Sequence, residues 1–230
     1  MSFRAESSAV REAWLHFFQL SPSFEYIRRK KLRPTRGYGL LEKFLAKQRI
    51  KMANKLIPSI HKKGKALDIG CGVSSLFLAN AEFSERYGLD KVAHNSFVNQ
   101  KVIFITQDIE KENSLHFESG YFDVVTMLGV LEHIGQEKAI KVLKEIHRIL
   151  KPNGIFIMTT PAFWTEKLLN VMSKLRLVSP VEIKEHKSLY YPSLICFMLQ
   201  NVGFLKDKLK YGYFEMFANV WVAAVKSEVI

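Results

Sequence analysis

The chain has 230 residues, 48% of them hydrophobic, which is enough for one substantial core with a modest appendage. Its two cysteines, Cys71 and Cys196, exclude a disulfide framework and are not spaced as metal ligands, which fits a reducing compartment. The net charge of +12 is uneven: residues 1–64 hold 15 Lys/Arg against 4 Asp/Glu, whereas residues 65–160 hold 10 against 12.

The first twenty residues carry charges among their apolar side chains and lack the unbroken run and small-residue cleavage site of a signal peptide. The expected location is therefore cytoplasmic. The densest charge is RRKKLR at 28–33, a patch suited to an anionic membrane surface or a run of phosphates, or else a solvated face. LLEKFLAKQRIKMANKLIP then places Leu41, Phe44 or Leu45, Gln48, Met52 and Leu56 near one helical face, and Pro58 stops it. Residues 1–64 thus read as a basic, helical N-terminal extension or cap.

From residue 65 short apolar runs alternate with helical patterns, as in successive βα units of a parallel sheet. The expected strands are 65–69, 86–89, 102–106, 122–127 and 155–159. Between the last two, Ile140, Leu143, Ile146 or His147 and Leu150 share a helical face, with Pro152 and Gly154 ending the helix. Residues 163–178 put Trp164, Leu168, Val171, Met172, Leu175 and Val178 on one side, consistent with core packing, a lid, a partner surface or a membrane-surface helix. The uncharged run 188–205 is broken by Pro192, Gln200, Asn201 and Gly203 and is a weak membrane span. Alternating patterns near the C-terminus suit a closing antiparallel hairpin.

The opening strand ends in LDIGCG. Gly70 and Gly72 allow a tight turn in which backbone can approach a ligand, while Asp68, two residues earlier, suits a cationic ligand better than a pyrophosphate. Asp90 stands at the end of RYGLD, where a carboxylate can accept both hydroxyls of a ribose. Asp108 follows the third strand, placed to meet an adenine amino group.

Together LDIGCG (67–72), GLD (88–90), QDIE (107–110), FDVVTMLGVLEHI (122–134) and LKPNGIFIMTTP (150–161) resemble class I S-adenosylmethionine-dependent methyltransferases, in the type 11 or ubiquinone-biosynthesis subgroup. The resemblance implies an α/β, Rossmann-like sheet of seven mostly parallel strands, ordered 3-2-1-4-5-7-6 with strand 7 antiparallel and helices on both faces. The methyltransferase domain would be 65–230, with a lid or acceptor-side insertion at about 162–200. S-adenosylmethionine would be the cofactor: Asp68, Gly70 and Gly72 line it, Asp90 holds the ribose, Asp108 with Ile109 meets the adenine, and Leu128, Gly129 and Val130 face the methionine end.

Methyl transfer from a sulfonium needs a positioned nucleophile and, for a hydroxyl, a base. His133 in LEHI and His186 in EIKEHKSLYY are the candidate bases, since imidazole titrates near neutral pH. Glu132 beside His133 makes too thin a metal pair, so no metal is expected. The expected acceptor is a small molecule, or a lipid- or sugar-linked intermediate, methylated on oxygen. Two lesser alternatives use the basic N-terminal segment: an RNA methyltransferase, and a non-catalytic protein of the same fold peripheral at an anionic membrane. The sequence leaves the oligomeric state open.

Overall fold

Lys65–Ile69 and Phe122–Leu128 are almost wholly buried along their length, so their sequences, KALDI and FDVVTML, read as apolar runs with little alternation. Such strands are covered on both faces, the usual state of a parallel sheet. The computed structural model describes residues 41–228 except 73–74, 80, 93–101, 113, 181–182, 184–186 and 189. The basic cluster at 28–33 and His186 lie outside the described residues.

In chain order the main elements are helix α1 (Glu42–Leu56), β1 (Lys65–Ile69), α2 (Leu76–Ala79), β2 (Glu85–Asp90), β3 (Ile103–Thr106), β4 (Phe122–Leu128) and α3 (Gln136–Ile149). These are followed by β5 (Leu150–Pro161), α4 (Glu166–Lys174), α5 (Pro192–Asn201), β6 (Leu209–Phe214) and β7 (Asn219–Val225). The seven strands form one sheet in the order β3-β2-β1-β4-β5-β7-β6. Pairings from β3 to β5 are parallel, and β7 runs antiparallel to both neighbours, as expected. Strand order reverses between β1 and β4, and a crevice opens outside the carboxyl ends at such a point.

Two apolar layers cover the sheet. One gathers Val142, Leu143, Ile146 and Ile149 of α3 with Ile195, Met198 and Leu199 of α5. The other gathers Ala53 of α1, Ile57 just beyond it, and Phe77 and Leu78 of α2. Helix α1 therefore contributes to the core although it lies in the segment read as an extension.

Packing sets the phase of three helical faces. In α1 the buried position is Ala53, and Phe44 is 54% exposed; a small residue that lets the helix approach the sheet fixed its rotation. In α3 the expected Leu143, Ile146 and Leu150 are buried, joined by Ala139 and Val142, while Ile140 is 42% exposed. In α4 and the turn before it Trp164, Leu168, Val171 and Leu175 face outward, whereas Val178, expected on the same side, is buried, so core packing fails for those four alone.

Strand β5 starts five residues earlier than expected. Helix α3 ends at Ile149, Phe122 pairs with Leu150, and the register shifts before Val124 pairs with Ile155; Asn153, at φ 63°, takes the intervening turn. The Nζ of Lys226, just past β7, donates to the carbonyls of His147 and Leu150, each at 2.8 Å. A cation there satisfies carbonyls that a helix end leaves without partners and complements the helix dipole. Replacing Lys226 with Met should cost about 1–2 kcal/mol, a fall of roughly 3–6 °C in Tm by calorimetry, with helix content near 20 °C unchanged.

Candidate functional site

The turn after β1 is shaped by the chain's own packing. Asp68 pairs in register with Thr126 of β4, whose Oγ1 donates to Asp68 Oδ1 at 2.7 Å. Burial pushes the Asp68 carboxyl up to about 7; the Thr126 hydrogen bond opposes that rise and the charge of Asp90 adds to it. Gly70 has φ 72°, and a Cβ there would fall 2.3 Å from Val130 Cγ2. The first glycine is thus required by the approach of the loop after β4, as well as by its backbone conformation. Cys71 is buried, and burial followed by the nearby Asp68 and Asp90 drives its thiol far above the ordinary range, so it packs as a small apolar residue.

Asp90 ends β2 and is 3% exposed. Its Oδ2 accepts the Gly72 N–H at 3.1 Å and its Oδ1 the Val92 N–H at 3.0 Å, which ties the tip of β2 to the turn after β1. A carboxylate oxygen accepts more than one hydrogen bond, so these contacts leave it able to take ligand hydroxyls as well. Asp108 follows β3 and closes a turn by accepting the Glu110 N–H at 3.1 Å. Burial would raise its carboxyl, but that bond and Lys111 outweigh burial and hold it below the ordinary value. Gln107 is 3% exposed; its Nε2 bonds Glu112 and the Ser114 carbonyl, while its buried Oε1 has no hydrogen-bond partner among the described residues.

At the end of β4, Gly129 has φ 70° and donates its N–H to the Thr159 carbonyl. The place its Cβ would occupy lies 2.3 Å from Arg49 Nη1 and 3.5 Å from Glu132 Oε1. Arg49 comes from α1, and its Nε is buried without a hydrogen-bond partner among the described residues. Glu132 is 5% exposed, with Oε2 accepting from Thr160 at 3.1 Å. At the tip of the β6–β7 hairpin, burial raises the Glu215 carboxyl against the opposing charge of Arg49.

One crevice at the carboxyl ends of the strands is lined by Asp68, Gly70, Gly72, Asp90, Asp108, Ile109, Leu128, Gly129 and Val130, together with His133. These are ten of the eleven residues singled out from sequence, the eleventh being His186. The crevice also takes in Arg49, Cys71 and Gln107, which the sequence reading left out. Gln107 could have been found, since it directly precedes Asp108 in the same motif; Arg49 gave no such signal, being one of several cations on a helix. Across the mouth, the Lys187 N–H donates to the Glu132 carbonyl at 2.8 Å, and Lys187 Nζ reaches Glu110 at 2.7 Å.

Acidic groups over three adjacent strand tips, an apolar middle and one guanidinium fit a cationic nucleoside that ends in an amino acid. The model of a family described as a methyltransferase domain matches residues 67–158. The matched stretch runs from β1 into β5 and so takes in the strand tips that line the crevice. A sterol 4-C-methyltransferase of Caenorhabditis elegans, strm-1, is 31% identical over 130 residues, covering 51% of this chain and 36% of that protein. The alignment thus spans about a third of the relative's length. A methyltransferase from Thermotoga maritima shares the fold with a TM-score of 0.62 at 17% identity, over 93% of this chain and 99% of that one. Phosphoethanolamine N-methyltransferase 2 of Haemonchus contortus, solved with S-adenosyl-L-methionine, aligns with a TM-score of 0.59 at 16% identity, over 79% of this chain and 53% of that one.

The raised Asp68 carboxyl makes stability of the ligand-free protein depend on pH. With its value near 7 in the folded chain and near 3.8 in the unfolded one, the native state holds the extra proton between about pH 4 and 7. Asp68 therefore lowers stability progressively as pH rises through that window. Asp68→Asn should stabilise the ligand-free protein at pH 8, by on the order of 4 kcal/mol at most, and change little at pH 4, as read from urea unfolding at the two pH values.

Proposed function

We propose that this chain methylates an oxygen of an acceptor with an apolar part, a small molecule or a lipid- or sugar-linked intermediate. The observation that carries the reading is the convergence of Asp68, Asp90, Asp108, Gly129 and His133 on one crevice at the reversal of strand order. In this reading Asp90 accepts the ribose hydroxyls, and Asp108 with Ile109 and Gln107 meets the adenine. Gly70 and Gly72 set the turn beneath the cofactor, and Asp68 faces its positive charge. Leu128, Gly129 and Val130 border the methionine end, where Arg49, with Glu132 beside Gly129, is the counter-ion for the carboxylate.

When bound, S-adenosylmethionine supplies a methyl group already activated on a sulfonium. The chain's own residues hold the acceptor in line, keep water out and take the hydroxyl proton. His133 is the group proposed to take that proton, because it lines the crevice next to Gly129 and Val130. Segment 162–200 serves as the acceptor side, a role supported by the Lys187 contacts that join the loops after β3 and β4. A second reading, methylation at carbon, is favoured by the similarity to the nematode sterol 4-C-methyltransferase.

Calorimetry should give micromolar binding of S-adenosylmethionine, weakened at least 100-fold in Asp90→Ala and about 10-fold in Arg49→Met, with Arg49→Lys intermediate. Unchanged affinity in Asp90→Ala would remove the site. Incubation with methyl-labelled cofactor and fractionated cell extract, followed by mass spectrometry, identifies the acceptor and the atom. With that acceptor, His133→Ala should lower kcat by 100-fold or more while the cofactor Kd stays within twofold. A kcat that falls less than threefold would assign the proton to another group.

A further inference from the structure

Trp164, Leu168, Val171 and Leu175 are spaced i, i+4, i+7 and i+11 along the short 3-10 turn Phe163–Thr165, α4 and the residue after it. That spacing gathers them on one helical stripe. The stripe faces outward: the four are 44%, 52%, 54% and 63% exposed. It continues through ring contacts, Trp164 to Tyr213 at 5.3 Å and Tyr213 to Phe217 at 6.0 Å, to the tip of the β6–β7 hairpin, where Phe217 is 67% exposed. A contiguous apolar ridge of this kind marks a surface that meets something other than water.

We infer that this ridge docks the chain on an anionic phospholipid bilayer. Charge selects that occupant. From 161 to 180 the chain carries Lys167, Lys174 and Arg176 against Glu166 alone. A short amphipathic helix with aromatic and leucine side chains outward and cations beside them matches an interfacial helix, whose binding combines apolar burial with attraction to anionic headgroups. Trp and Tyr suit that depth, one end of each ring system being apolar and the other polar. No helix among the described residues is long and apolar enough to cross a membrane, so the contact is peripheral.

The ridge adjoins the crevice through covalent structure. Strand β5 passes from Thr160, hydrogen-bonded to Glu132, through Pro161 directly into Phe163 and Trp164. Docking along the ridge brings the acceptor side of the domain to the lipid surface. The inference stands apart from the identity of the acceptor, because vesicle binding is read without one.

Flotation of the full chain with phosphatidylcholine vesicles, with and without 30% phosphatidylserine, tests it. Wild type should float with the anionic vesicles, at least 10-fold less with neutral ones, and less in 0.5 M salt. Leu168→Glu/Val171→Glu should lower binding to anionic vesicles at least 10-fold while Tm and S-adenosylmethionine affinity stay as in wild type, which separates docking from both folding and the cofactor site. Wild type that fails to float, or a double variant that floats like wild type, overturns the inference. It is also overturned if binding is lost only when the charges at 28–33 are reversed. A shift from dimer to monomer in the double variant, with vesicle binding unchanged, would assign the ridge to a second copy of the chain.

Discussion

Asp90 places two backbone N–H groups, from Gly72 and Val92, on a single buried carboxylate. That arrangement fixes the turn after β1 against the tip of β2, and the crevice keeps its shape because the two cannot move apart without stranding a buried charge. Gly70 completes the constraint from the other side. With no Cβ it lets Val130 close over the turn, which joins the loop after β4 to the same unit. The floor of the site is thus defined by contacts within the protein before any ligand is considered.

Two buried acids with different environments divide the electrostatics of this floor. Asp90 is surrounded by N–H donors, whereas Asp68 has the Thr126 hydroxyl as its donor, and burial dominates its titration. A group poised near neutrality ionises more readily when a cation arrives, so ligand charge and the protonation of Asp68 are linked. Arg49 stands with Glu132 beside Gly129, and its charge opposes the rise of the Glu215 carboxyl, which keeps a cation at a place where a carboxylate would otherwise be repelled by the acidic strand tips. The crevice therefore has a polarity along its length, matched to a ligand that carries both signs.

The domain presents a different face beside this polar floor. Buried aromatic residues are normal, but here a run of exposed ones follows directly from β5. Strand β5 itself has to be apolar because it is covered on both sides, and Ala162 and Thr165 remain buried beyond it; the outward turn of Trp164 and Leu168 lies within the same few residues.

Sequence by itself determined the parallel sheet and most of the crevice. Strands buried on both faces leave near-continuous apolar runs, and the ends of those strands are marked by acids and glycines whose backbone roles are local. Asp68, Asp90 and Asp108 could be placed because each sits at a strand end or within two residues of one. Tertiary structure decided what depends on rotation and distance. Helical period is visible in α1 and α4, but phase is set by what packs against the helix, so Ala53 turned inward and Leu168 outward. Arg49 meets Gly129 across eighty residues of chain, and only the fold brings such a pair together.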